Sequence, residues 1–167
     1  MVTLRDVLLA QFTACLDENG WFVALKNALA GLSACEAAWK PDGEADNSIW
    51  ETLSHLNYYN GAYLERFRGV PLEYDKADNE ETFEQAEDRS EEKWRAELAR
   101  FGTVMSGWRD ELRRADDDKL LELAPPRCEY PWYAIISSIN THNAHHCGQI
   151  VLLRKLQGRW DRTQGVS

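Results

Sequence analysis

Two segments of the chain repeat their apolar and imidazole residues at alternating steps of four and three, and that period limits what the chain can fold into. Trp94, Leu98, Phe101, Met105, Trp108 and Leu112 form one seam. Ile135, Ile139, His142, His146, Gln149 and Leu153 form the other. A seam of this kind lies along one side of an α-helix that packs lengthwise on its neighbours. No stretch shows the period of two that marks a strand. The expected class is all-α.

The breakers divide the chain into four rods. Leu4, Leu8, Phe12, Cys15, Phe22, Leu25 and Leu29 keep one helical phase, which predicts a single helix over about 3–31 running through Gly20. Pro41 and Gly43 interrupt the chain. Ser48-x-x-Glu51 is a capping box, and it predicts a second helix over about 48–68, ended by Gly69 and Pro71. A third helix is expected over about 90–115. A short turn of helix is expected within 116–123, before Pro125 and Pro126. Pro131 suits the first position of a fourth helix over about 131–157, because a missing N–H costs nothing there. Rods of roughly 30–43 Å packed side by side make a four-helix bundle. Its connections are long, and a long crossover between helices two and three is compatible with them. At 167 residues the chain reads as one domain, 1–167.

Charge and composition remove several function classes. Asp and Glu outnumber Lys and Arg by 28 to 19, a net charge of −9. An acidic chain is a poor binder of nucleic acid or of anionic membrane surfaces. The acids of 80–92 and 116–118 read as solvated faces. No apolar run approaches the roughly 20 residues that cross a bilayer. Residues 1–6 lack a basic stretch followed by a long apolar run. Both observations predict a cytoplasmic protein, and with nucleic acid and membrane disfavoured by charge the expected partner is a small-molecule substrate. Cys15, Cys35, Cys128 and Cys147 form no Cys-x-x-Cys pair and read as reduced thiols. Of the seven tryptophans, Trp94 and Trp108 belong to the core seam, while Trp39, Trp50 or Trp132 could edge a pocket or a dimer face.

The histidines are the chemical signal. Of four, three fall within five residues, at His142, His145 and His146, and the fourth is His55 on the second helix. Positions four apart stack one turn above the other on the same helix face, so His142 and His146 can grip one cation from one rigid rod. The pair His142/His145 is also possible at a spacing of three, and spacing alone does not choose. His55 completes a set of three if helices two and four are neighbours. Three histidines with an open position match a catalytic zinc layout. The competing reading is a pair of hydrogen-bonded core imidazoles. His-Glu-x-x-His, Glu-x-x-His and Gly-x-Ser-x-Gly are all absent from the sequence.

Ser54-His-Leu-Asn-Tyr-Tyr-Asn60 and Thr141-His-Asn-Ala-His-His-Cys-Gly-Gln-Ile150 together resemble the DinB/YfiT-like superfamily over nearly the whole chain. The resemblance implies a four-helix bundle, often a homodimer, that binds one divalent metal ion, zinc or nickel. It implies ligands at His55, His142 and His146. His145 stands where the family usually has another residue, often aromatic, and so is an alternative or accessory ligand. The resemblance also implies either a thiol S-transferase using a low-molecular-weight thiol or a metal-dependent hydrolase. A non-enzymatic metal-binding stress bundle is the third reading.

Helix spacing brings further residues near the histidines. Glu51 and Tyr59 lie one turn before and after His55, and Gln149 lies three residues after His146. Glu51 is a candidate base as well as the capping-box acid. Tyr59 and Gln149 are candidates to orient ligands through hydrogen bonds. Cys147 points about 100° away from His146 and is not expected to ligate. Arg66, Arg154 and Lys155 are expected to be solvated.

Overall fold

The computed structural model describes residues 1–41, 47–70, 78–84, 87–125 and 129–164. Gly43, Pro71, Pro126 and Cys128, along with parts of the acidic 80–92 run, lie outside the described residues. Helices α1 (Leu4–Leu16), α4 (Ile49–Phe67), α5 (Glu91–Arg114) and α7 (Trp132–Leu156) are the four rods. Short helices α2 (Leu25–Ala28), α3 (Ala34–Ala38) and α6 (Asp117–Leu121) fill the connections, and a 3-10 turn spans Asn79–Thr82.

The first rod differs from its expected form. The helix stops at Leu16, and α2 and α3 continue as separate short pieces. Asp17, the last cap residue, pairs with Arg109 of α5. Asn19 Oδ1 then accepts from Ala24 N at 2.9 Å and Asn27 Nδ2 at 2.8 Å, which holds a turn where helix was expected. An Asn side chain that satisfies nearby backbone competes with helix in this way. The apolar phase survives the break because Leu25 and Leu29 still reach the core, whereas Trp21 is almost fully exposed.

Neighbour contacts run in a ring: α1 against α5 and α7, and α4 against the same two. The directions follow from pairs along each seam. Trp50 meets Trp94 at one end of α4 and α5, with ring centroids 5.3 Å apart. Arg68, just past the other end of α4, meets Glu111 at 3.0 Å. Helices α4 and α5 are therefore parallel, and the chain between them must travel back along the bundle. That return is the long crossover between the second and third rods. Phe67 packs on Trp132, so α7 runs antiparallel to α4. Gly107 allows the close approach of α5 to α4: a Cβ there would sit 2.7 Å from Leu64 Cδ2.

The caps follow local chemistry. Ser48 N donates to Glu51 Oε2 at 2.7 Å, and Glu51 N donates to Ser48 Oγ at 3.1 Å. Gly69 takes φ +79° just beyond α4, where a residue with a Cβ would be strained. Pro131 stands one residue ahead of its expected place, as the cap of α7. Arg66 and Arg154, expected at the surface, are buried. Arg154 Nη1 donates to the carbonyls of Ala28 (2.7 Å) and Ala30 (3.0 Å), which leave α2 without helical partners. Arg66 donates to Pro125 O through Nε and Nη2. Trp50, Trp94, Trp108 and Trp132 are all core residues.

One polar contact fixes α4 against α7. Asn60 Nδ2 donates to Asn143 Oδ1 at 2.9 Å, and Asn143 Nδ2 donates back to Asn60 Oδ1 at 3.0 Å. Both side chains are buried, so each amide depends on the other. Asn143→Ala is expected to cost about 1–3 kcal/mol, the usual penalty for a stranded buried polar group. Urea unfolding checks this, and Asn143→Ala added to Asn60→Ala should cost less than the sum of the two singles.

Candidate metal centre

The antiparallel packing of α4 on α7 brings His55 of α4 to His142 and His146 of α7. His142 Nε2 lies 3.0 Å from both His55 Nε2 and His146 Nε2. One nitrogen from each ring falls within 4.8 Å of the other two. His55 and His146 are buried, and His142 is half-buried. His145 points to the exposed side, its ring beside that of His146 at 5.1 Å, and does not join the three.

Hydrogen bonds on the far side of two rings settle where the protons sit. Thr82 Oγ1 donates to Asn79 O at 2.6 Å, so it accepts from His55 Nδ1 at 2.7 Å. Gln149 Oε1, a carbonyl, can only accept, so His146 Nδ1 is a donor at 2.6 Å. Both imidazoles therefore carry hydrogen on Nδ1 and turn the lone pair of Nε2 inward. His142 Nε2 has at most one hydrogen to share between them. The cluster holds more lone pairs than protons, and a cation resolves that deficit. A set of neutral nitrogens with outward N–H groups held by carbonyl or hydroxyl oxygen is the donor chemistry of a divalent ion such as zinc.

Electrostatics keep the rings neutral. Burial first, then His146 and His142, lowers the His55 pKa to about 3. Burial, then His146 and His145, lowers that of His142 to about 4. Burial lowers that of His146 as well, with the Gln149 bond opposing it.

The crossover supplies a third wall. Phe83 stacks on His55 with centroids 4.0 Å apart and an interplanar angle of 11°. Tyr59 packs edge-on to His55 at 4.9 Å and donates its hydroxyl to Asn79 Oδ1 at 3.1 Å. Burial, followed by Tyr58, Tyr63 and Asp78, raises the Tyr59 pKa and keeps its proton on at neutral pH. His142 also lines a cavity of about 530 Å³, together with Tyr59, Tyr63 and Tyr130. Thr82 and Phe83 were missed in the sequence because they sit in an acidic loop with no period. The one signal available was a Thr–Phe pair inside that loop.

Glu51 is placed elsewhere. One carboxylate oxygen caps α4 and the other pairs with Lys40 Nζ at 2.7 Å, so its capping role is the one on display. Gln149 and Tyr59 are both drawn into the site, as described. Cys147 stays out of it: its thiol donates to Val23 O at 2.9 Å, and burial raises its pKa to about 12.

A helical bundle whose core opens on three converging histidines defines the class. A family model of the DinB superfamily matches residues 22–150, most of the chain, and the chain belongs to that superfamily. No curated protein and no solved structure matches it in the same comparisons. No helix among the described residues is long and apolar enough to cross a membrane.

The burial of neutral imidazoles has a consequence for stability. A histidine in the unfolded chain takes up its proton near pH 6.5, while His55 and His142 in the fold resist until about 3 and 4. The unfolded state therefore binds more protons as pH falls below 6.5, and stability drops. Chelator-treated protein should lose melting temperature between pH 7 and 5, above the carboxylate range. His55→Phe should flatten that slope.

Proposed function

We propose that His55, His142 and His146 hold one divalent ion, zinc or nickel, and that the protein is a metal-dependent transferase joining a low-molecular-weight thiol to a small electrophile. The observation that carries this reading is the pair of outward Nδ1–H bonds, from His55 to Thr82 and from His146 to Gln149, which commits the inner nitrogens as lone pairs. An ion held by these three residues would supply Lewis acidity, lowering the pKa of a thiol or water bound to it. Thr82 and Gln149 orient the ligand rings. Phe83 covers one face of His55 and keeps water from it. Tyr59, protonated and fixed to Asn79, stands at the edge of the cavity as a hydrogen-bond donor. In the overall reaction the thiol sulfur bonds to the acceptor carbon. The leaving group departs with its electron pair, and the thiol proton passes to solvent. The working form in this reading is a homodimer, and a monomer by light scattering would remove that part.

Protein purified without chelator should carry close to one divalent ion per chain by elemental analysis. His55→Ala, His142→Ala and His146→Ala should each abolish retention, while His145→Ala should leave it near wild type. Thr82→Val should weaken the ion by about 10–100-fold, the usual effect of removing a group that holds a ligand ring. Turnover of an electrophile should require added thiol. Thiol-independent turnover in water would move the assignment to a hydrolase, and no retained ion would end the metal reading.

A further inference from the structure

Among the described residues, the cavity that His142 helps to line has no charged side chain in its wall. Tyr59, Tyr63 and Tyr130 contribute rings, and Ile135 and Ile139 form an apolar wall along α7. The polar groups in this lining are largely turned on one another. The Asn60 amide is bonded to Leu56 O and to Asn143. Ser138 Oγ donates back to Ala134 O at 3.0 Å, and Tyr59 donates to Asn79. Arg66 is not among the lining residues; its guanidinium sits 5.0 Å from the centre of the Tyr63 ring and is bonded to Pro125 O.

These features select a ligand by what they do not offer. A carboxylate or phosphate entering the metal-free cavity would shed water and find no charged side chain among the described lining residues to pair with, at a heavy cost. The net charge of −9 adds repulsion at longer range. A flat uncharged ring loses little on desolvation and gains contact with aromatic faces. The volume of about 530 Å³ suits one small molecule.

We propose that this cavity is the acceptor site and takes an uncharged aromatic molecule, seated among Tyr59, Tyr63 and Tyr130 with its reactive carbon toward His142. The direction of the reactive carbon rests on the metal-centre reading above; the seat itself does not need the ion.

The test is isothermal titration of the full chain, stripped of metal, with 4-nitrobenzyl alcohol and with 4-nitrobenzoate, which share a ring and differ in charge. The alcohol should bind one to one, and the benzoate at least about tenfold more weakly, a difference of about 1.4 kcal/mol. Ala134→Trp, which fills the cavity from α7 without touching a histidine, should weaken the alcohol by at least a similar factor. Ser138→Trp, at an exposed position, serves if the first variant does not fold by circular dichroism. Equal or tighter binding of the benzoate overturns the proposal, and so does alcohol binding undiminished in whichever of these variants folds. Metal content is measured on the same preparations as purified, before the metal is stripped. Ion retained with no alcohol bound sinks this inference alone, whereas alcohol bound with no ion retained sinks the metal reading and leaves the seat standing.

Discussion

The antiparallel contact between α4 and α7 is the interaction on which the rest depends, because the bundle places polar groups there in positions that leucine would fill more cheaply. Asn60 and Asn143 exchange two hydrogen bonds in the core, and one turn along the same seam His55 reaches His142 and His146. Buried amides and imidazoles tolerate only one register, since a slip by one turn would strand every donor and acceptor. Apolar layers elsewhere in the bundle supply the driving force. All four of the core tryptophans are essentially inaccessible: Trp50 packs on Trp94 at the start of α4, and Trp108 and Trp132 pack on Phe67 at its end, which limits how far the helices can shift.

The parallel pairing of α4 and α5 turns a topological necessity into part of the site. A helix of 19 residues is about 28 Å long, so the chain leaving Phe67 has to return along the bundle before α5 can start beside Trp50. The described part of that return, with the turn Asn79–Thr82, lies against α4. There Thr82 fixes the tautomer of His55, Phe83 covers its ring, and Asn79 holds Tyr59. A short hairpin between α4 and α5 would have made them antiparallel and left His55 without those partners. The connection is long for a geometric reason, and the site uses what that geometry delivers.

Much of this was legible in the sequence because it rests on periodicity. The seams of Trp94–Leu112 and Ile135–Leu153, the Ser48 capping box and the stacking of His142 over His146 are all consequences of 3.6 residues per turn, which the order of residues along one short segment encodes. The choice of His146 over His145 was not in the spacing; it came with the family resemblance, and the structure separates the two by turning His145 outward. The break after Leu16 was hidden because the apolar phase resumes at Leu25. Phase reports which residues face the core and is silent on whether the backbone between them is continuous. The bond from Thr82 to His55 spans 27 positions and follows from no period at all. Arg154 misled for another reason: a charge at a helix end is ordinarily solvated, and only the tertiary fold reveals the stranded carbonyls of α2 that it serves.

The protein's own thiols bear on where sulfur chemistry at this site could come from. Cys147 follows a proposed ligand in sequence, and Cys15 lies close by on α1, yet both are withdrawn from reaction. Each donates its hydrogen to a backbone carbonyl, Cys147 to Val23 and Cys15 to Asn140. Burial raises their pKa values to about 12 and about 11. The thiolate is the nucleophile in sulfur chemistry, and at neutral pH these two sites hold almost none. Their role is packing, at the contact of the first rod with α7. Neither Cys15 nor Cys147 therefore supplies a nucleophilic sulfur beside His142, and in the reaction proposed above the sulfur enters with a soluble thiol while the adjoining cavity takes the acceptor it meets.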